Sequence, residues 1–108
     1  MGISREGWDI GTFDEIDWVP WGSGDNARAK VLGAADGFHI VLIEAEPGYK
    51  GDPHEHGHPE LVYVVDGTLR NQGKEMVKGD GYAAAAGSKH ADFEAGASGA
   101  TYLWVSKI

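Results

Sequence analysis

From residue 38 onward the chain is a succession of short apolar runs separated by glycine-bearing turns. The clearest runs are 38–46, 60–65, 68–71, 75–78, 81–86, 90–93 and 100–107, rich in Val, Ile, Tyr and Leu. Short strands at regular spacing with turn signals between them predict an all-β sandwich or barrel. Asp66-Gly67 reads as a hairpin turn, because glycine supplies the positive φ that a tight turn needs. Gln72-Gly73-Lys74 and the run Lys78, Gly79, Asp80, Gly81 read the same way. No stretch of helical length carries a sustained 3.6-residue period, and the four alanines 83–86 are hemmed in by glycines, so they read as strand or loop. Two runs, His39-Ile40-Val41-Leu42-Ile43 and Leu61-Val62-Tyr63-Val64-Val65, are apolar on both faces. A strand with one wet face alternates instead, so these two predict a second cover from another sheet or another subunit.

Residues 1–36 are patterned differently. They are acidic, hold three of the four tryptophans (Trp8, Trp18, Trp21), and show only weak strand signals near 16–19 and 29–32. We expect residues 1–36 to form an arm packed on the barrel or on a partner subunit, and 37–108 to form the barrel itself. The chain has 108 residues with 17 glycines, enough for one core and too few for two domains. Its formal charge of −8 excludes the basic footprint that nucleic acid or an anionic membrane demands. With no cysteine there is no disulfide scaffold, thiolate metal site or thiol nucleophile. The amino terminus has no apolar signal-like segment and no run approaches a membrane span, which predicts a cytoplasmic protein.

The chemistry concentrates in one place. Three of the five histidines fall within five residues, in Pro53-His54-Glu55-His56-Gly57-His58-Pro59-Glu60. The string His54-Glu55-His56-Gly57-His58 satisfies the H-E-x-x-H pattern of zinc proteases, but that chemistry needs a helix. Pro53 and Pro59 bracket the segment and Gly51 and Gly57 interrupt it, so a helix is excluded. In an extended chain, His54 and His56 share one face at ~6–7 Å spacing, close enough to hold one ion. Glu60 can join them from the next strand, and His90 is placed to supply a further ligand.

These residues carry a family resemblance. Gly48, His54, His56, Glu60 and Gly67 stand at the spacing of the first cupin motif. Gly79, Gly87 and His90 follow the second, with Ala85 in place of its proline and Glu94 in place of its asparagine. The chain thus resembles the cupin superfamily, and more loosely the single-domain cupins near anti-sigma-factor carboxy-terminal domains and diketone-cleaving dioxygenases. The resemblance implies a small antiparallel β-barrel of jelly-roll type, a homodimer, and a metal inside the barrel on His54, His56, Glu60 and His90. Three imidazoles and a carboxylate suit one divalent transition metal: Fe(II) first, with Mn(II), Ni(II) or Zn(II) as alternatives. The resulting net positive charge attracts an enolate or carboxylate ligand.

The reaction expected is that of an Fe(II)-type dioxygenase acting on a small enolisable or oxygenated molecule, with Glu60 or His58 as the proton carrier. The alternatives are a zinc- or ligand-sensing module without turnover, and a metal-dependent isomerase or lyase. His58 also reads as an exposed loop residue, His39 as a packed or surface imidazole, Glu94 as either cavity-facing or solvated, and Trp104 as core or substrate platform.

Overall fold

A computed structural model describes the chain except for Met1, Asp52, Pro53, His56, Ala91 and Ile108; at 2–5, 54, 55 and 90 it describes the backbone alone. The elements in order are β1 (Gly2–Arg5), β2 (Trp8–Gly11), a 3-10 turn (Phe13–Glu15), β3 (Val19–Pro20), β4 (Ala27–Ala35), β5 (Phe38–Ala45), β6 (His54–Glu55), β7 (Glu60–Asn71), β8 (Lys74–Val77), β9 (Gly81–Ala84), β10 (Lys89–His90) and β11 (Phe93–Lys107). Among the described residues there is no α-helix, and no helix long and apolar enough to cross a membrane. Seven strands form one antiparallel sheet in the order β3-β4-β5-β11-β7-β8, with β9 beside β8 on the same edge of β7. Two short antiparallel pairs, β1-β2 and β6-β10, stand apart from it.

Period-two burial explains why these segments are strands. In β7, Glu60, Val62 and Val64 are buried while Leu61 and Tyr63 are exposed; β5 buries Val41, Ile43 and Ala45. The sheet curls so that inward residues from β4 through β8 meet in one core around Val41, Ile43, Val64, Leu69, Met76 and Tyr102. Each of the large members contributes roughly 1.5–3 kcal/mol by leaving water. The all-β jelly-roll barrel expected from the sequence is the observed architecture.

Two turn readings divide. Gln72-Gly73 closes the β7-β8 hairpin with both residues at positive φ, 53° and 78°, as a two-residue type I′ turn requires. Asp66-Gly67, read as a hairpin, is instead internal to the twelve-residue strand β7. Only Gly67 has positive φ (75°), and the register against β11 shifts there, so the dipeptide makes a bulge that bends the strand without reversing it. The tight reversal comes at Asp36-Gly37, with φ of 53° and 84°, which joins β4 to β5. The main sheet therefore begins on the amino-terminal side of residue 37, with β4 paired to β5 from Ala27 to Ala35.

The segment before β4 folds back over the outer face of that strand. Lys30, buried on this face, donates to the Phe13 carbonyl at 2.7 Å and lies 3.7 Å from the Phe13 ring centroid. The Arg28 guanidinium sits 4.0 Å over Trp18 and is bonded to Glu44 at 2.7 Å. Two cations and two aromatic rings thus fasten the arm to the sheet.

Candidate functional site

Glu60 opens β7 and is almost completely buried, at 5% exposure. A buried carboxylate needs partners, and two are hydrogen-bond donors among the described residues. The Tyr82 hydroxyl donates to Oε2 at 2.9 Å, and the Trp104 indole N–H donates to Oε1. Strand register delivers both donors: Tyr82 on β9 stands opposite Val62, and Trp104 on β11 stands opposite the same residue from the other side. Burial, and then the adjacent Glu60 charge, push the Tyr82 phenol far above its ordinary range, so it remains a proton donor throughout the working range of pH. Each carboxylate oxygen accepts one of these hydrogen bonds.

The histidine segment approaches the same end of the barrel through β6. His54 there is the direct antiparallel partner of His90 on β10. Chain segments adjoining the pair are tied to the barrel: Gly51 N–H donates to Phe93 O at 2.9 Å, Gln72 N–H to Asp92 O at 3.1 Å, and the buried Ser106 hydroxyl to Pro59 O at 2.9 Å. His58 lies exposed in the bend between β6 and β7. His56, and the side chains of His54 and His90, lie outside the described residues. Among the described residues no group of three or more His, Asp or Glu side chains is placed to hold an ion.

Other candidates find definite places. Glu94 alternates away from buried Phe93 and Ala95 and pairs in register with Arg70, so it faces outward from the core. His39 is half-buried in β5, with its Nδ1 shielded from solvent and without a hydrogen-bond partner among the described residues. Trp104 is neither simple core nor simple platform. It is half-buried, touches the Glu60 carboxylate, and packs against Trp21 with ring centroids 5.2 Å apart at 69°. A cavity of about 290 Å³ runs from Glu60 past these two indoles. Tyr82 escaped the sequence reading, although a lone large residue among the small ones of Gly81–Ala84 was a signal available there.

The donor set fits a divalent ion on chemical grounds: a buried carboxylate already oriented by two donors, and two histidine positions in direct cross-strand register. The comparisons agree with the fold. The sequence matches the ChrR cupin-like domain over residues 8–107. No curated protein matches the chain. Among solved structures it resembles a sugar phosphate isomerase of the cupin superfamily from Silicibacter pomeroyi, at 26% identity and TM-score 0.72, covering 91% of this chain and 74% of that one. An acetylacetone dioxygenase from Acinetobacter johnsonii superposes with TM-score 0.71 at 11% identity, over 97% of this chain and 70% of the other. The anti-sigma ChrR of Rhodobacter sphaeroides, solved with SigE, gives TM-score 0.73 at 20% identity; 90% of this chain covers 52% of that protein. The match across almost the whole chain and the jelly-roll topology together place this protein in the ChrR cupin-like family of the cupin superfamily.

Proposed function

We propose that the protein is a metal-dependent dioxygenase acting on a small enolisable, oxygen-bearing molecule, with His54, His56, Glu60 and His90 holding one divalent ion, Fe(II) in the active form. The observation that carries this is the buried Glu60 carboxylate, oriented by Tyr82 and Trp104 at the edge of a small cavity. A bound ion supplies a Lewis acid and a template for substrate oxygens. The chain's own part is to fix the carboxylate, to line the cavity with apolar surface that excludes water, and to offer Glu60 or His58 as a proton carrier. The likeness in fold to the acetylacetone dioxygenase of Acinetobacter johnsonii supports this reaction class.

The test is oxygen uptake by Fe(II)-loaded protein with acetylacetone. The expected result is O₂ consumption matched to loss of the diketone, and no turnover under nitrogen or after chelation. Turnover unchanged under nitrogen would establish an isomerase or lyase instead. The match to the ChrR cupin-like domain favours a second reading, a zinc-loaded ligand-sensing module, which predicts tight zinc binding and no turnover.

The protein is also proposed to act as a homodimer. Leu61 and Tyr63 on β7 and Ile40 on β5 are 48%, 50% and 40% exposed, and Val105 stands between Ile40 and Leu61 on the same outer face. The chain exposes 6637 Å², about 800 Å² more than a folded monomer of its mass normally leaves, and a standard interface covers about 800 Å² per partner. Sedimentation velocity should return a dimer for the native chain and a monomer for the Leu61→Lys, Tyr63→Lys double variant.

A further inference from the structure

We infer that the cavity ending on Glu60 selects a compact anion with a flat aromatic body, and that Trp21 is the residue that makes the selection. The inference rests on the metal-centre reading above, and deepens it by naming the substrate class. The cavity holds about 290 Å³, at the low end for small-molecule sites, which suits one ring with a short polar tail. Its described walls are mainly aromatic: Trp21, Trp104, Tyr49, Phe93 and Tyr102.

Several of the hydrogen-bonding groups at the cavity are already engaged with one another among the described residues. Trp104 and Tyr82 donate to Glu60, and the Tyr102 phenol is hydrogen-bonded to Tyr49. A polyhydroxylated molecule entering here would strip water from its hydroxyls and find few partners in exchange. A flat ring needs none. It gains edge-to-face contacts with walls already arranged that way, Trp21 on Trp104 at 69° and Phe93 on Tyr102 at 64°. Lys50, exposed at the rim, favours an anion over a neutral molecule of the same shape.

Trp21 reaches the cavity through a dedicated piece of backbone. Its N–H donates to Ala27 O at 3.1 Å, and Glu46 N–H holds Asn26 O at 2.9 Å, so the loop into β4 is anchored at both ends. Gly22 has φ +73°, and a Cβ there would lie 3.1 Å from the Tyr49 ring. A glycine lets the loop lie flat on Tyr49 and sets the indole over Trp104. Trp21 makes no contact with Glu60 through a hydrogen bond; its role is to shape the entrance.

The test is isothermal titration of Zn(II)-loaded and metal-free full-length protein with two carboxylates of like charge, trans-cinnamate and gluconate. Zinc uptake is measured on the same samples. The expected result is at least about tenfold tighter binding of cinnamate than of gluconate. Trp21→Leu should lose about tenfold in cinnamate affinity while zinc uptake and gluconate binding are unchanged, and Trp21→Phe should recover most of the loss. Equal affinity for the two carboxylates, or a Trp21→Leu variant that binds cinnamate like the native chain, overturns the inference. Absence of zinc uptake instead defeats the metal-centre reading, and the cavity is then judged on the metal-free titration, where the same cinnamate preference and Trp21 dependence are required.

Discussion

Glu60→Gln is expected to weaken divalent-ion binding by more than about 100-fold while leaving the barrel folded. The substitution removes the single negative charge in the proposed ligand set and replaces one acceptor oxygen by an amide donor. The fold tolerates this because shape is kept and the hydrogen bonds can be rearranged. The Gln carbonyl can take the Trp104 N–H, and the Tyr82 hydroxyl can rotate to accept from the amide. Tyr82→Phe and Trp104→Phe should fall between native and Glu60→Gln, at about 10–100-fold each, since each removes one support of the carboxylate and leaves the ligand in place. Titration with Fe(II) or Zn(II) under anaerobic conditions checks the series, with circular dichroism to show that the fold persists. Equal affinities for native and Glu60→Gln proteins would remove Glu60 from the metal centre.

Gly67→Ala is expected to destabilise the domain by about 3–5 kcal/mol, among the largest effects of a single methyl group. Two independent costs combine. Gly67 has φ +75°, in the region that side chains rarely occupy, and a Cβ would sit 2.2 Å from the Gly99 carbonyl oxygen across the β7-β11 ladder. That neighbour is backbone, so it cannot swing aside as a side chain would. Gly99 is itself at φ +77°, with a Cβ position 2.7 Å from Ala45 O, so β5, β11 and β7 approach each other closely at this point. Thermal melting should show a midpoint at least ~10 °C below native. A change of less than 2 °C, well under ~1 kcal/mol, would mean that the bulge relaxes and that the close approach is not needed.

The same dipeptide shows how much of this fold was legible. Asp-Gly occurs at 36–37, 66–67 and 80–81, and apolar runs flank the first two. At the first, both residues take positive φ and the chain reverses; at the second, only the glycine does and β7 continues. What separates them is the partner. Val64 exchanges backbone hydrogen bonds with Asp80 and Gly79, so β7 has edge partners on both sides of its bend, a long-range fact absent from any local window. The strands of the second half were readable because Val, Ile and Tyr alternate with exposed residues through them. β4 was faint because its inward positions are Ala27 and Ala29, too small to mark a buried face, and because buried Lys30 looks like solvent in the sequence.

The site divides in a similar way. His54, His56, Glu60 and His90 were legible as candidates by their spacing, and their motif carried the family. Trp21 and Tyr82 were not, because their roles depend on which strands stand opposite one another. Tyr82 reaches Glu60 from 22 residues away, and Trp104 from 44. The outer apolar face at Ile40, Leu61 and Tyr63 was visible as two-sided strands, and its exposure in the single chain follows from the same pattern.

X-ray absorption spectroscopy of the protein loaded with one Fe(II) or Zn(II) per chain bears most directly on whether residues 54, 56, 60 and 90 surround a common ion. The account predicts three imidazole shells and one carboxylate oxygen, at ~2.0–2.2 Å for the zinc form. A stoichiometric ion with one imidazole or none, or a spectrum unchanged by His90→Ala, would contradict it.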